Sequence, residues 1–560
     1  MSQTALQEGY QRAKLGRQIG ADGTRFVAIV SVTQKEGIAE FCRGLNTITP
    51  TDFISTGGTA RLLRQAGIEG VFDAQDLVGG PELFDDLVKT LSREVAAGIM
   101  APKTAEAESI LSAMDIPRIN MVCVDFYNLR DAICQPDATR QSVVKNTDVG
   151  GPTMTHEAAK AGVIIICRPQ DRQPTLDWMR AGRPDEEEYL QELRARAEIE
   201  GCKYLGVSAR YHSGGKFRFI SGEQVGQLRY GENPQQTPAN LYATDGDDPL
   251  AIHRFIHVAG KEASLINVTD LDRLLAYVTR IAAAWKLNFN HVPKIAVAVK
   301  HGNACGAAAG NGLSAVLQGM INGDLRAIFG GAVMTNFAID SIDAEILRSY
   351  KMGTGNLRLL DEVIAPEFSS LAIDKLARKG DRCRMVANET LADLGLDTIN
   401  TSEIVRSVRG GFLIQPGYDS YLLNLDDPRI QKYGEASEKQ KHDMVLAWAI
   451  GSLSNSNTIT LVRDWVLIGN GVGQQDRVGG CDLAILRAKW AGHETDGATV
   501  YSDSFFPFPD GPEHLVQAGV KAIFATSGSV NDDKTIQVCQ DAGIVLYMIP
   551  DKVGRGFAYH

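Results

Sequence analysis

Two successive α/β regions are what this sequence predicts, the first built on a parallel sheet. Three observations carry that expectation. Short apolar runs alternate with helical patterns through the first 170 residues. A charged, apolar-poor helical stretch follows at about 170–200. The alternation restarts after Ser221. Strands separated by helices favour parallel pairing, because a parallel connection must cross over the sheet.

The elements follow in order. Residues 26–32 (FVAIVSV) form a β-rich apolar run, and 36–45 read as a helix. Residues 52–54 make a short strand ended by Ser55, Thr56, Gly57, Gly58 and Thr59, and 59–66 carry apolar residues at helical spacing. Buried strands are expected at 121–126 and 163–167. The segment 171–221 reads as a helical connecting region between units. Beyond it, 294–299 and 521–525 read as strands, and 271–285 and 442–450 as helices. No short tandem repeat is visible.

Length and composition bound the function. A chain of 560 residues implies about three or four compact units at roughly 150 residues each. Hydrophobic residues are 44% and charged residues 22%, an ordinary globular balance that excludes fibrous or wholly disordered classes. With 57 basic and 68 acidic residues the net charge is −11, which argues against nucleic acid or an anionic membrane as partner. No run approaches the ~20 apolar residues of a membrane helix, and the polar N-terminus lacks a secretory h-region. The nine cysteines are scattered without C-x-x-C or zinc spacing, so reduced thiols in a cytoplasmic protein and no metal are expected.

Several motifs carry chemistry. Ser55 to Thr59 follows a strand and opens a helix, where glycines, hydroxyls and helix N-terminal amides suit an anion. Ser31, Thr33 and Lys35 leave the preceding strand in the same way, and adjacent strand ends of a parallel sheet converge on one crevice. Together they describe a phosphate cup. Asp148, Lys160, Lys89 and Tyr127 are candidate acid, base or oxyanion groups, although local sequence equally fits exposed lysines and a packed tyrosine. Arg229, Tyr230 and Gly231 open a dense polar run (RYGENPQQ) suited to phosphate or carboxylate, or to a plain surface turn. Lys300 and His301 end the KIAVAV strand before glycines. Neighbours on a regular strand face opposite ways, so these two share a site only if the strand ends there. Histidine is the natural neutral-pH base, and lysine can donate to a developing anion. A zinc-deaminase reading of His301 with Cys305 fails for want of a P-C-x-x-C partner. Ser502 to Asp510 is an aromatic-proline run that can stack on a flat heterocycle or simply form a rigid loop.

In order, STGGTA, DVGGPTM with AAK, LRYGENPQQTP, VKHGNACG, FGG, SNT, SDSFFPF and TSGS resemble the bifunctional AICAR transformylase/IMP cyclohydrolase family of purine biosynthesis, over nearly the whole chain. The resemblance implies residues 1–170 as a cyclohydrolase domain like methylglyoxal synthase. It implies two transformylase subdomains, 222–400 and 401–560, like the cytidine deaminase fold without zinc. The implied reactions are formyl transfer from the co-substrate 10-formyltetrahydrofolate to AICAR, then dehydrative closure of formyl-AICAR to IMP, in a homodimer with transformylase sites at the subunit interface. His301 would be the base, Lys300 would stabilise the oxyanion or protonate the leaving group, and Asn457 would orient the formyl carbonyl. Arg229, Tyr230, Gly231, Asn267, Phe329, Gly330, Asp361, Phe505 and Arg555 match AICAR positions. Arg477, Val478, Phe508, Asp510, Ser529 and Val530 match folate positions. Lys89, Tyr127, Asp148 and Lys160 match the cyclohydrolase catalytic set, and Ser31, Thr33, Lys35 and Ser55 to Thr59 its phosphate cup.

The chain also departs from the pattern. S-D-K-T-G has become Thr33, Gln34, Lys35, Glu36, Gly37, bringing an acid (Glu36) to the cup. N-L-Y-P-F has become Asp125, Phe126, Tyr127, Asn128, Leu129, and K-T-L-H-P has become Lys89, Thr90, Leu91, Ser92, Arg93. The first domain is the more altered. A transformylase with an impaired cyclohydrolase, or a non-catalytic AICAR-binding homologue, are the rival readings.

Overall fold

The computed structural model describes residue 19, residues 25–78 and residues 90–559. The chain divides into two units, Met1–Ser221 and Gly222–His560, fewer than its length suggests.

The first unit holds a five-stranded parallel sheet of β1 (Phe26–Ser31), β2 (Thr51–Ser55), β3 (Val71–Asp73), β4 (Met121–Val124) and β5 (Ile164–Ile166), in the order β3-β2-β1-β4-β5. β1, β4 and β5 are near-continuous apolar runs, as strands covered on both faces require, and β2 is buried throughout although Thr51, Asp52 and Ser55 are polar. Helix α1 (Ile38–Ile48) buries Ile38, Phe41, Cys42 and Leu45, one stripe at helical spacing. The chain runs outward from β1 to β2 and β3, then returns to β4 on the other side of β1. That reversal opens a crevice beyond the C-terminal ends of β1 and β4.

The 171–221 stretch is not a free connector. Helices α4 (Arg172–Arg180) and α5 (Glu186–His212), beyond α2 (Gly57–Gln65) and α3 (Gly150–Ala161), belong to the first unit. Leu176, Trp178, Met179, Leu190, Leu193 and Ala197 join its core, and Trp178 stacks on Tyr189 at 4.5 Å. The apolar residues are few, but their spacing gives each helix one inward stripe.

The second unit carries hairpin β6–β7 (Glu223–Leu228, Ala239–Ala243) and a twelve-stranded sheet. The first half of that sheet is β8 (Ile256–Ala259), β9 (Lys294–Lys300), β10 (Asn303–Gly310), β11 (Ala332–Thr335), β12 (Glu362–Ala365) and β13 (Arg384–Ala387). Hairpin β14–β15 (Ile404–Val408, Gly411–Gln415) intervenes. The second half is β16 (Gln431–Tyr433), β17 (Ile459–Arg463), β18 (Val466–Gly471), β19 (Thr499–Ser502), β20 (Ala522–Ser527) and β21 (Val545–Pro550). The spatial orders are β10-β9-β11-β12-β13-β8 and β18-β17-β19-β20-β21-β16. They are the same order twice, joined by antiparallel β10 and β18 at Ala308 and Val466. One continuous sheet merges what length alone would count as two domains.

The duplication extends to side chains. Each half places a long helix, α6 (Leu265–Phe289) or α8 (Glu438–Gly451), before its first hairpin, and both bury residues in one shared core. Each hairpin turns in two residues with positive φ: His301 and Gly302, then Asp464 and Trp465. That is the requirement of a type I′ turn, whose twist matches the strands. The sixth residue of each long helix accepts the second turn residue's N–H: Asp270 from Gly302 at 2.9 Å, Asp443 from Trp465 at 2.7 Å. Glycine also recurs on the second hairpin strand. A Cβ on Gly306 would lie 2.2 Å from Met320 O in α7 (Leu313–Gly323), and one on Gly469 2.4 Å from Ala484 O in α9 (Arg477–Trp490).

Candidate active sites

In the first unit several residues expected to form the cup come together at the crevice. Ser31 and Thr56 hydroxyls lie 2.9 Å apart, and Lys35 Nζ donates to Thr59 Oγ1 at 2.6 Å. Gly57 and Gly58 open α2, with Thr56 as its N-cap and Ser55 buried at the end of β2. The acid that meets these donors is Asp125 rather than Glu36, whose side chain is exposed. Asp125 accepts the Thr33 hydroxyl at 2.6 Å, the Gln34 N–H at 3.2 Å and the Thr33 N–H. Arg172, from α4, pairs with Asp125 at 3.6 Å and donates to the carbonyls of Gln34 and Glu36. Burial pushes the Lys35 ammonium down from its ordinary value, with Asp125 opposing.

Asp148 sits before α3, accepts the Gly151 N–H at 2.9 Å, and is pushed above the usual carboxylate range by burial. Tyr127 is half exposed, with its backbone N–H turned to the Asp148 carboxylate. Lys160 stands at the far end of α3, about 15 Å of helical rise from Gly150, while Asp148 lies before the helix. Lys89 lies outside the described residues.

In the second unit the expected residues fall into two groups. The type I′ turn brings Lys300 and His301 to the tip of β9–β10, which is how neighbouring residues come to share a site. Lys300 donates to the Phe329 carbonyl, and Gly330 Cα faces Lys300 Nζ. Gly330 N–H donates to Leu359 O and Asp361 N–H to Gly331 O, so the FGG turn and Asp361 adjoin the lysine. The Asp361 carboxylate holds Arg378 at 3.0 Å. Arg229 and Tyr230 pair through their backbones with Ala263 and Leu265 at the start of α6. There Asn267 forms a capping box with Ser264 and accepts from Arg229 at 3.5 Å. Gly231 N–H donates to Gln236 O. Asp270, one turn beyond Asn267, lies under the His301–Gly302 turn; burial pushes its carboxyl up, with Gly302 N–H and His301 opposing.

The second group lines another cavity, of about 450 Å³: Asn457, Arg477, Val478, Phe505, Phe508, Asp510 and Arg555 among others. Asn457 Nδ2 donates to Gln474 O at 2.9 Å, Arg477 pairs with buried Asp503, and Arg555 pairs with Asp551. Asn531 Nδ2 donates to Pro507 O at 2.7 Å, tying the loop of Ser529 and fully exposed Val530 to the Phe505–Asp510 loop. Lys300 and His301 line a separate cavity of about 490 Å³ with Asn303, Arg326, Asn470 and Trp490. Asp125, Arg172, Asp270 and Asp503 were not singled out as candidates. Asp125 follows the strand beside β1, and Asp270 is three residues from Asn267 on a helix, and both spacings were readable signals. Among the described residues no set of three His, Cys, Asp or Glu gathers as metal ligands, and no helix is long and apolar enough to cross a membrane.

A crevice lined by hydroxyls and Lys35 on a small parallel sheet, joined in one chain to a duplicated mixed sheet with a Lys-His turn, defines a two-unit α/β enzyme. The family model described as AICARFT/IMPCHase bienzyme matches residues 158–487, and an MGS-like domain matches 37–153. Similar curated relatives are the bifunctional purine biosynthesis proteins PurH of Oceanobacillus iheyensis and Bacillus cereus, each 32% identical and covering 93% of this chain and 97% of the relative. The PurH protein of Staphylococcus aureus is also 32% identical, over 522 residues. The chain belongs to the AICARFT/IMPCHase bienzyme family.

Proposed function

We propose that the two units carry out the family's two reactions: formylation of AICAR in the second and closure of formyl-AICAR to IMP in the first. The observation that carries this is the Lys300–His301 turn, held from beneath by Asp270, in a chain that also keeps the first unit's crevice. The co-substrate 10-formyltetrahydrofolate supplies the electrophilic formyl carbon. The cavity of Phe505, Phe508, Arg477 and Asp510 fits it, offering aromatic faces for a flat ring. His301 takes the proton from the AICAR 5-amino group as that nitrogen attacks. Lys300 supplies positive charge and a proton beside it, and Asn457 orients the carbonyl being attacked. Arg229, Tyr230, Asn267, Phe329, Gly330 and Asp361 hold the nucleotide, with Phe505 and Arg555 closing over it. Val478, Ser529 and Val530 border the folate side.

Lys300 and His301 line one cavity while Asn457, Phe505 and Arg555 line another. The family resemblance puts transformylase sites at a subunit interface, and this split accords with a site shared between two copies of the chain, each giving one group. In the first unit Asp148, with Tyr127, handles the protons of ring closure, and Lys160 joins from a second copy. The setting is the cytoplasm. His301→Ala tests the reading: turnover falls by about 10²–10⁴-fold, while AICAR binding, followed by calorimetry, survives. Unchanged turnover would remove His301 as the base.

A further inference from the structure

Half of the first unit's cup is already filled by the protein itself. The loop after β1 offers three donors to an anion: Thr33 N–H, Thr33 hydroxyl and Gln34 N–H. All three go to the Asp125 carboxylate. The other half differs, since Gly57 and Gly58 have open space where a Cβ would stand. Asp125 is only 9% exposed and its counter-charges are both local: Arg172 at 3.6 Å and the neighbouring Lys35. We propose that Asp125 is a built-in counter-anion that sets the specificity of the first unit, excluding a phosphate dianion from the Thr33–Lys35 half of the cup and weakening its hold on a nucleoside monophosphate. The inference rests on reading this crevice as the phosphate site.

The physical argument is discrimination by repulsion. Two anions cannot share one donor set, and a dianion brought beside an ionised carboxylate is opposed by like charge in a poorly solvated crevice. Counting Lys35, Arg172 and Asp125, the local charge is +1; without the carboxylate it is +2. Arg172 reaches the cup because α4 folds back onto the first unit. The carboxylate and the helix that neutralises it thus form one device.

The test titrates the intact chain with IMP and, separately, with inosine, which lacks the phosphate. Lys35→Ala defines the component of IMP binding that belongs to the cup. Asp125→Asn removes the charge, and Asp125→Ser removes the group as well and serves if the first variant fails to fold. The Lys35-dependent affinity for IMP rises by tenfold or more with Asn and further with Ser, while inosine affinity stays unchanged. Equal tightening of IMP and inosine would mean a structural role and overturn the proposal. IMP affinity that does not rise in either variant, with Lys35→Ala still weakening it, would overturn it and leave the phosphate reading standing. If Lys35→Ala has no effect on IMP in any background, the phosphate reading itself falls.

Discussion

Asp270 and Asp443 occupy equivalent places in the two halves of the large sheet, each holding the second residue of a hairpin turn. Only the first turn carries a lysine and histidine. Asp443 therefore isolates the structural half of the role. Burial raises its pKa to about 6, with the Trp465 and Asp464 amides opposing. A carboxyl raised in the folded state favours folding most below its unfolded value, and that contribution is lost as pH rises through about 6. Asp443→Asn keeps an acceptor for Trp465 and cannot ionise. The variant flattens the loss of stability between pH 4 and 6 and is more stable near pH 8 by about 1–3 kcal/mol. Denaturant unfolding at both pH values checks this, and a less stable variant at pH 8 contradicts it. At the first turn, Asp270→Asn keeps the turn's hydrogen bond yet removes the charge beside His301, so transformylase kcat falls more than the affinity for AICAR. Calorimetry beside steady-state kinetics separates the two.

Elements show how much of this was legible. Apolar runs predicted β1, β4 and β5 to within about two residues, because strands buried on both faces leave a continuous hydrophobic mark, whereas β2 showed only Phe53 and Ile54 between polar residues. The hairpins β6–β7 and β14–β15 left none, since β6, β14 and β15 are mostly exposed and β7 is mostly half-buried. The duplication was implied by the family resemblance but left no repeat in the sequence itself. It lives in strand order and in single residues such as Asp270 and Asp443, whose surroundings share no motif. The cup was legible as two donor loops, but its third wall was not. Asp125 and Arg172 lie far apart in sequence, and only the return of α4 brings them together. Gly306 shows the reverse case, a glycine whose reason appears only in packing. Its missing Cβ lets α7 approach the sheet, so Gly306→Ala costs about 1–3 kcal/mol through displacement of that helix. A thermal shift is the readout, and a variant as stable as the parent would refute the close-packing argument.

At the scale of the whole molecule, the proposed sharing of one site by His301 of one copy and Asn457 of another makes a distinct prediction. Chains carrying His301→Ala or Asn457→Ala are each inactive as transformylases. With the site shared as proposed, mixing and refolding them together gives hybrids with one of two sites intact, restoring about a quarter of parental activity under random pairing. No recovery, with hybrids present, would place both residues in one chain's site. The central claim is that both reactions belong to this one chain. Its most direct test supplies AICAR and 10-formyltetrahydrofolate to the purified protein and follows tetrahydrofolate release and IMP formation separately, with formyl-AICAR supplied in a parallel run. The account predicts tetrahydrofolate release that depends on His301, and IMP formation above the uncatalysed rate from either starting point. Folded protein that yields neither product would contradict it.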